Sequence, residues 1–165
     1  MVESGVLMVM QINFKKLVKN LAIPLGVGLV SGLLTRGGVE EFNATAIKPF
    51  FMPPGWVFPA AWTILYILMG IAAYIIDVAP DTKSKKFAQT LYYVQLFFNF
   101  CWSFLFFTFG QYLFAFIWII ILWVLIIATT IEFNKIEPKA AYLMIPYIIW
   151  VTFASVLNFS VYLLN

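Results

Sequence analysis

The chain has 165 residues, 64% of them hydrophobic and only 10% charged, whereas ordinary soluble domains are about 25% charged; this leaves room for one domain and excludes a soluble one. Its net charge of +3 sits at the ends of apolar segments, where membrane anchors belong, so no nucleic-acid partner is expected. A single cysteine, Cys101, excludes an internal disulfide framework, and the absence of histidine removes the commonest general base and haem, zinc or copper ligand, so neither a metal site nor a cofactor is expected.

The expected fold is an all-α integral membrane protein, a bundle of five transmembrane helices in a single domain, 17–165. The preceding tail, 1–16, places its lysines after a short apolar patch, the reverse of a secretory signal, and Met8 and Met10 offer alternative starts. Apolar runs of about twenty residues then cover 17–35, 54–76, 87–108, 112–133 and 140–164.

Inward faces in a membrane are read from small and polar residues, because leucine gains little by hiding from lipid. In the first run Gly28 and Gly32 form a GxxxG pair, with Ala22 and Gly26 at the same spacing, and predict close packing within the chain or between two chains. The connection 36–53 is the longest and ends in "KPFFMPPGW", a turn-rich stretch ahead of the second run. Proline is favoured in a first helical turn, so Pro53 and Pro54 are expected to fix where that run begins. Pro49 and Phe51 belong to the same mouth, with Phe50, Phe51 and Met52 laid over a cavity as a stiff lid; a plain aromatic anchor at the membrane interface is the alternative.

The second run lines up Phe58, Trp62, Tyr66 and Met69 at helical spacing. The third, "YYVQLFFNFCW", puts Tyr92, Gln95, Asn99, Trp102 and Phe106 on one face; an unpaired amide facing lipid is costly, so Gln95 and Asn99 must look inward. They serve either as interhelical hydrogen bonds or as the few polar contacts of an apolar pocket. The fourth run follows after only "FGQ", which requires a tight antiparallel hairpin, and its Trp118 and Trp123 have no amide companion, so lipid-facing packing is expected. The fifth lines up Tyr147, Trp150, Ala154 and Asn158. Trp56, Tyr74, Tyr112 and Tyr142 lie near span ends and fit interfacial belts. Three converging stripes predict a cavity for a flat aromatic or sterol-like ligand that stacks and makes few hydrogen bonds.

Eight lysines (Lys15, Lys16, Lys19, Lys83, Lys85, Lys86, Lys135, Lys139) fall on one side of a five-span arrangement, against Arg36 and Lys48 on the other. This predicts a cytoplasmic N-terminus and an exterior C-terminus in a bacterial-type plasma membrane. No paired carboxylate within a span, Walker loop, zinc spacing or filter motif is visible.

Together, "KPFFMPPGWVFPAAWTILYILMG", "YYVQLFFNFCW" and "PYIIWVTFASVLN" resemble, in order and spacing, the tryptophan-rich sensory protein / translocator protein family (TspO/MBR), also called the peripheral-type benzodiazepine receptor. The resemblance spans nearly the whole chain from the first run onward. It implies a five-helix bundle, often a homodimer, with a pocket under the long first connection. It also implies binding of porphyrins such as protoporphyrin IX and of isoquinoline or benzodiazepine-type ligands, with sterols in the mitochondrial branch. By position Trp62 and Trp150 correspond to pocket tryptophans implicated in light- and oxygen-dependent porphyrin breakdown in some bacterial members. Gln95, Asn99 and Ala154 match pocket positions, and Pro53 and Pro54 match the proline pair at its mouth. The chain departs from the family at Phe51, where tryptophan is usual, and at "FNA", Phe42 to Ala44, where an aromatic pair is usual. Near the C-terminus Tyr162 lacks the following Lys or Arg of the sterol motif. A membrane receptor or carrier of porphyrins, in tetrapyrrole regulation or stress signalling, is the leading expectation. The alternatives are a photo-oxidative porphyrin-degrading enzyme using Trp62 and Trp150, a transporter of tetrapyrroles or lipids, and a helical scaffold whose aromatic stripes only pack.

Overall fold

A computed structural model describes residues 12–165, and every apolar run proves to be a helix. In chain order the elements are α1 (Phe14–Leu34), α2 (Arg36–Thr45), α3 (Val57–Val78), α4 (Lys83–Ser103), α5 (Tyr112–Ile136) and α6 (Pro138–Leu164), with a π-helical turn, Phe104–Thr108, extending α4. All but α2 are long and apolar enough to span a bilayer. Their outward faces expose Leu33, Ile64, Phe97, Ile117 and Ile149 among others, a surface that lipid solvates and water does not. The chain is an integral membrane protein. The alternative starts at Met8 and Met10 lie outside the described residues.

The helices outrun the apolar runs because their capping turns lie beyond the hydrocarbon. The Asn13 side chain accepts from Lys16 N at 3.1 Å, so α1 begins at Phe14 rather than 17. Thr82 does the same for Lys85 N at 3.1 Å, so α4 begins at Lys83 rather than 87. α3 shifts the other way. Two successive turns, Met52 N to Pro49 O at 3.0 Å and Val57 N to Pro54 O at 2.9 Å, delay its start to Val57. The proline in its first turn is therefore Pro59, and Pro53 and Pro54 set the approach to the helix rather than its opening.

The first half of the 36–53 connection is helical, which its Gly37-Gly38 pair disguises. Tertiary packing supplies what propensity lacks. Phe42, buried, meets Phe106, Phe107 and Tyr112 at ring-centroid distances of 5.2, 5.6 and 6.2 Å, and Gly38 lies directly against the Phe107 carbonyl. The π turn, closed by Phe109 N to Phe104 O at 2.9 Å, widens the helix where Phe106 and Phe107 contact Phe42. Phe42→Ala is expected to release α2 alone, raising amide hydrogen exchange across 36–45 while α3 to α6 keep their protection. Beyond α2, Ile47 N donates to Asn165 Oδ1 at 2.8 Å and Asn165 Nδ2 donates to Ile47 O at 2.9 Å, a paired clamp between this segment and the end of α6.

The hairpin after α4 turns at Gly110, whose φ of 59° suits a residue without Cβ. At the lysine-rich end, buried Lys85 donates to the carbonyls of Asp77 and Ala79 at 2.9 and 2.7 Å and to Asp81 Oδ1 at 2.8 Å, capping α3 where its last carbonyls lack helical partners. That hydrogen bond, and then the Lys85 charge, hold the Asp81 carboxyl below its ordinary range. Lys16 also donates to Asp77 O at 2.9 Å, and Asn20 donates to Asp77 Oδ2 at 3.0 Å, joining α1 to α3.

Within the chain, the α1–α3 contact realises the close packing of the glycine motif at Gly28 alone. Gly28 packs on the Tyr66 ring with no room for a Cβ, but Gly26 and Gly32 face open space. The second close approach is at Gly70, where a Cβ would stand 2.8 Å from Asn20 O and 2.9 Å from Leu21 Cα.

Candidate functional site

Aromatic and amide side chains from α3, α4 and α6 converge in the bundle interior. Their centre is Tyr147, fully buried, whose hydroxyl accepts from Asn99 Nδ2 at 2.8 Å and donates to Gln95 Oε1 at 2.9 Å. Asn99 Oδ1 in turn accepts from the Tyr66 hydroxyl at 2.8 Å, and Gln95 Nε2 reaches only the Met69 sulfur, at 3.9 Å. Each donor meets an acceptor along this neutral chain, which joins three helices. The helical spacing of Gln95 and Asn99 turns both amides to the same neighbours. A second link runs from Trp102 Nε1 to Asn158 Oδ1 at 3.1 Å and from Asn158 Nδ2 to Tyr112 O at 2.8 Å.

Trp62 lies against this network. Its ring stacks on Tyr66 (centroids 5.6 Å, planes 29° apart), meets Tyr147 edge-on at 6.1 Å and leans on Trp102 at 6.5 Å. One turn along α3 and one along α6, Phe58 meets Trp150 at 6.0 Å with planes 71° apart. The two antiparallel helices thus form a ladder with Phe58 opposite Trp150 and Trp62 opposite Tyr147. The rungs differ in one respect. The network satisfies the polar atoms around Tyr147, whereas Trp150 Nε1 is shielded from solvent and has no hydrogen-bond partner among the described residues. A ligand seated between the rungs would compete with the ring contacts of Trp62.

Of the residues read from the sequence, Trp62, Tyr66, Gln95, Asn99, Trp102 and Tyr147 form one connected group, and Asn158 joins it through Trp102. Phe58 and Trp150 form the adjoining pair, and Ala154 is buried one turn beyond Trp150. The mouth is arranged differently from the expected lid. Pro49 is buried and Met52 packs on the core, but Phe50 is fully exposed, Phe51 rests edge-on against Phe50, and Pro53 and Pro54 line the approach to α3. Sequence reasoning missed Phe42, the anchor of α2; an aromatic beside two acidic residues was its one signal. It also sent Tyr74 to an interfacial belt, whereas Tyr74 is buried with its hydroxyl accepting from Asn13 N at 3.1 Å; Tyr112, half-buried at the start of α5, also backs Phe42. Trp118 and Trp123 are not simply lipid-facing: they donate across helix contacts to Phe98 O at 2.9 Å and Thr152 Oγ1 at 2.8 Å. A groove of about 340 Å³ between α5 and α6, beside Trp123 and Phe159, shares no residue with the site.

Comparison with known proteins agrees with this architecture. The model of the TspO/MBR family matches residues 20–164. The chain is 39% identical over 153 residues to the tryptophan-rich protein TspO of Archaeoglobus fulgidus, covering 93% of this chain and 99% of that one. It is 35% identical to the protein of the same name from Chlorobaculum tepidum, over 86% of this chain and 90% of the relative. With the translocator protein of Ovis aries it shares 30% identity, over 85% and 84% of the two chains. Matched along almost its entire length by relatives of both kinds, the chain belongs to the TspO/MBR family, membrane proteins of the receptor and transporter kind.

Proposed function

We propose that the chain binds a flat, hydrophobic aromatic ligand of the porphyrin type, such as protoporphyrin IX, between α3 and α6. The observation that carries this reading is the unpartnered Trp150 indole N–H beside the Trp62 ladder. A donor withheld from water with no acceptor costs about 1–3 kcal/mol, and a ligand carboxylate or carbonyl placed there recovers it. A macrocycle entering between the rungs takes over the ring contacts that Trp62 now makes with Tyr66, Trp102 and Tyr147, so stacking in the ligand-free state is exchanged for stacking on the ligand. Phe58, Gln95, Asn99, Ala154 and Asn158 shape and orient the site, and Pro49, Phe51, Pro53 and Pro54 form the approach to it. In this reading the lysine-rich end faces the cytoplasm and the protein works as a homodimer, for which Gly26 and Gly32 leave open space on α1.

A dark titration of purified protein with protoporphyrin IX, read by tryptophan quenching, tests the proposal. Saturable binding is expected, weakened about tenfold by Trp150→Phe, the worth of one hydrogen bond of roughly 1.4 kcal/mol, and by a similar factor in Trp62→Phe. Binding that never saturates, or that is indifferent to both substitutions, defeats it. Tyr66 and Trp102 are oxidisable rings that each contact the Trp62 ring, which favours the photo-oxidative enzyme as the second reading. Loss of the porphyrin spectrum on illuminating the saturated wild type, but not the Trp62→Phe sample, would promote it.

A further inference from the structure

The lysine-rich half of the bundle holds a second unpaired polar atom, remote from the ligand site. Tyr92 is 2% exposed, stacks on Phe133 of α5 at 6.0 Å, and its hydroxyl has no hydrogen-bond partner among the described residues. It borders a crevice of about 10 Å³ whose other lining includes Asn20 of α1, Ala73 of α3 and Gln89 of α4. A water needs about that much room and two to four polar partners. Asn20 spends its Nδ2 on Lys16 O at 2.9 Å and Asp77 Oδ2 at 3.0 Å, which leaves its Oδ1 as an acceptor.

We infer that this crevice is a binding site for one structural water, accepting from the Tyr92 hydroxyl and donating to Asn20 Oδ1, with the Gln89 amide as its third partner. Charge selects water over a monovalent cation. The carboxylate that touches the crevice's Asn20, Asp77, already faces Lys16 Nζ at 3.6 Å, and Glu132, next to the lining Phe133, pairs with Lys135 at 2.6 Å, so neither leaves a charge over to compensate an ion. The water ties α1 to α4 at the end of the bundle away from α2. This inference does not depend on the ligand proposed above.

Tyr92→Phe tests it through the sign of the change in Tm. A bridged hydroxyl contributes hydrogen bonds that phenylalanine loses, so Tm is expected to fall, by about 2–4 °C for a chain of this size. An orphaned hydroxyl costs stability that phenylalanine removes, so a Tm that holds or rises overturns the inference. An experimental map of the wild type, the second measurement, is expected to show density within hydrogen-bond distance of Tyr92 Oη; its absence overturns the inference too. So does a Tm that depends on exchanging sodium for potassium at constant ionic strength, which would assign the site to a cation.

Discussion

Tyr147→Phe is expected to lower the unfolding free energy by about 2–4 kcal/mol while leaving the Trp62 packing face intact. The ring stays, so the edge-on contact with Trp62 at 6.1 Å survives, and only the hydroxyl is lost. That one atom satisfies two others: Asn99 Nδ2 at 2.8 Å and Gln95 Oε1 at 2.9 Å, both deeply buried. Each orphaned group costs about 1–3 kcal/mol. Hydrogen bonds between membrane helices average only about 0.6 kcal/mol, because the dissociated helices find other partners. Here the larger figure governs, since Gln95 Oε1 has no other donor among the described residues and the Met69 sulfur beside the amide, at 3.9 Å from Nε2, can only accept. Tyr66→Phe removes a single bond, to Asn99 Oδ1 at 2.8 Å, and is expected to cost about half as much. Thermal unfolding in detergent compares the two; equal costs would refute the picture of Tyr147 as the hub.

The second large effect is a contrast in sign between two glycines. Gly70→Ala is expected to destabilise by about 1–3 kcal/mol even though alanine is worth about 1 kcal/mol more than glycine in a helix. Its Cβ meets Asn20 O and Leu21 Cα at 2.8 and 2.9 Å, backbone atoms that can retreat only by moving α1 as a whole. That movement strains the Lys16 and Asn20 bonds to Asp77. Gly32→Ala meets nothing within 4 Å and is expected to stabilise by up to about 1 kcal/mol. Unfolding of both variants, with cross-linking for self-association, reads the difference. A loss at Gly32 accompanied by dissociation would place a second copy against that face.

The pair shows where sequence reasoning reaches. Hydropathy finds all five spans because lipid imposes its demand on every outward residue, and the polar amides of α4 are legible because nothing but burial explains them. Gly70 carries no motif; its role depends on which α1 backbone atoms arrive opposite it. α2 is hidden for a similar reason, since a glycine pair and three charges describe a loop until Phe42 finds the cage made by the π turn. Stripe positions such as Trp62 and Tyr147 follow from helical spacing. The direction of the hydrogen bonds from Tyr66 through Asn99 to Gln95 does not, because three helices must meet to define it.

The Asn165 clamp on Ile47 makes the α2–α3 connection and α6 a single lever. α6 carries Tyr147 and Trp150 on the same rod whose far end grips that connection, so a shift along or about α6 is transmitted to the segment above the bundle, and tension on the segment returns to the aromatic rungs. If the proposed ligand enters past that segment, its admission and the rearrangement of the rungs would share one barrier and one rate.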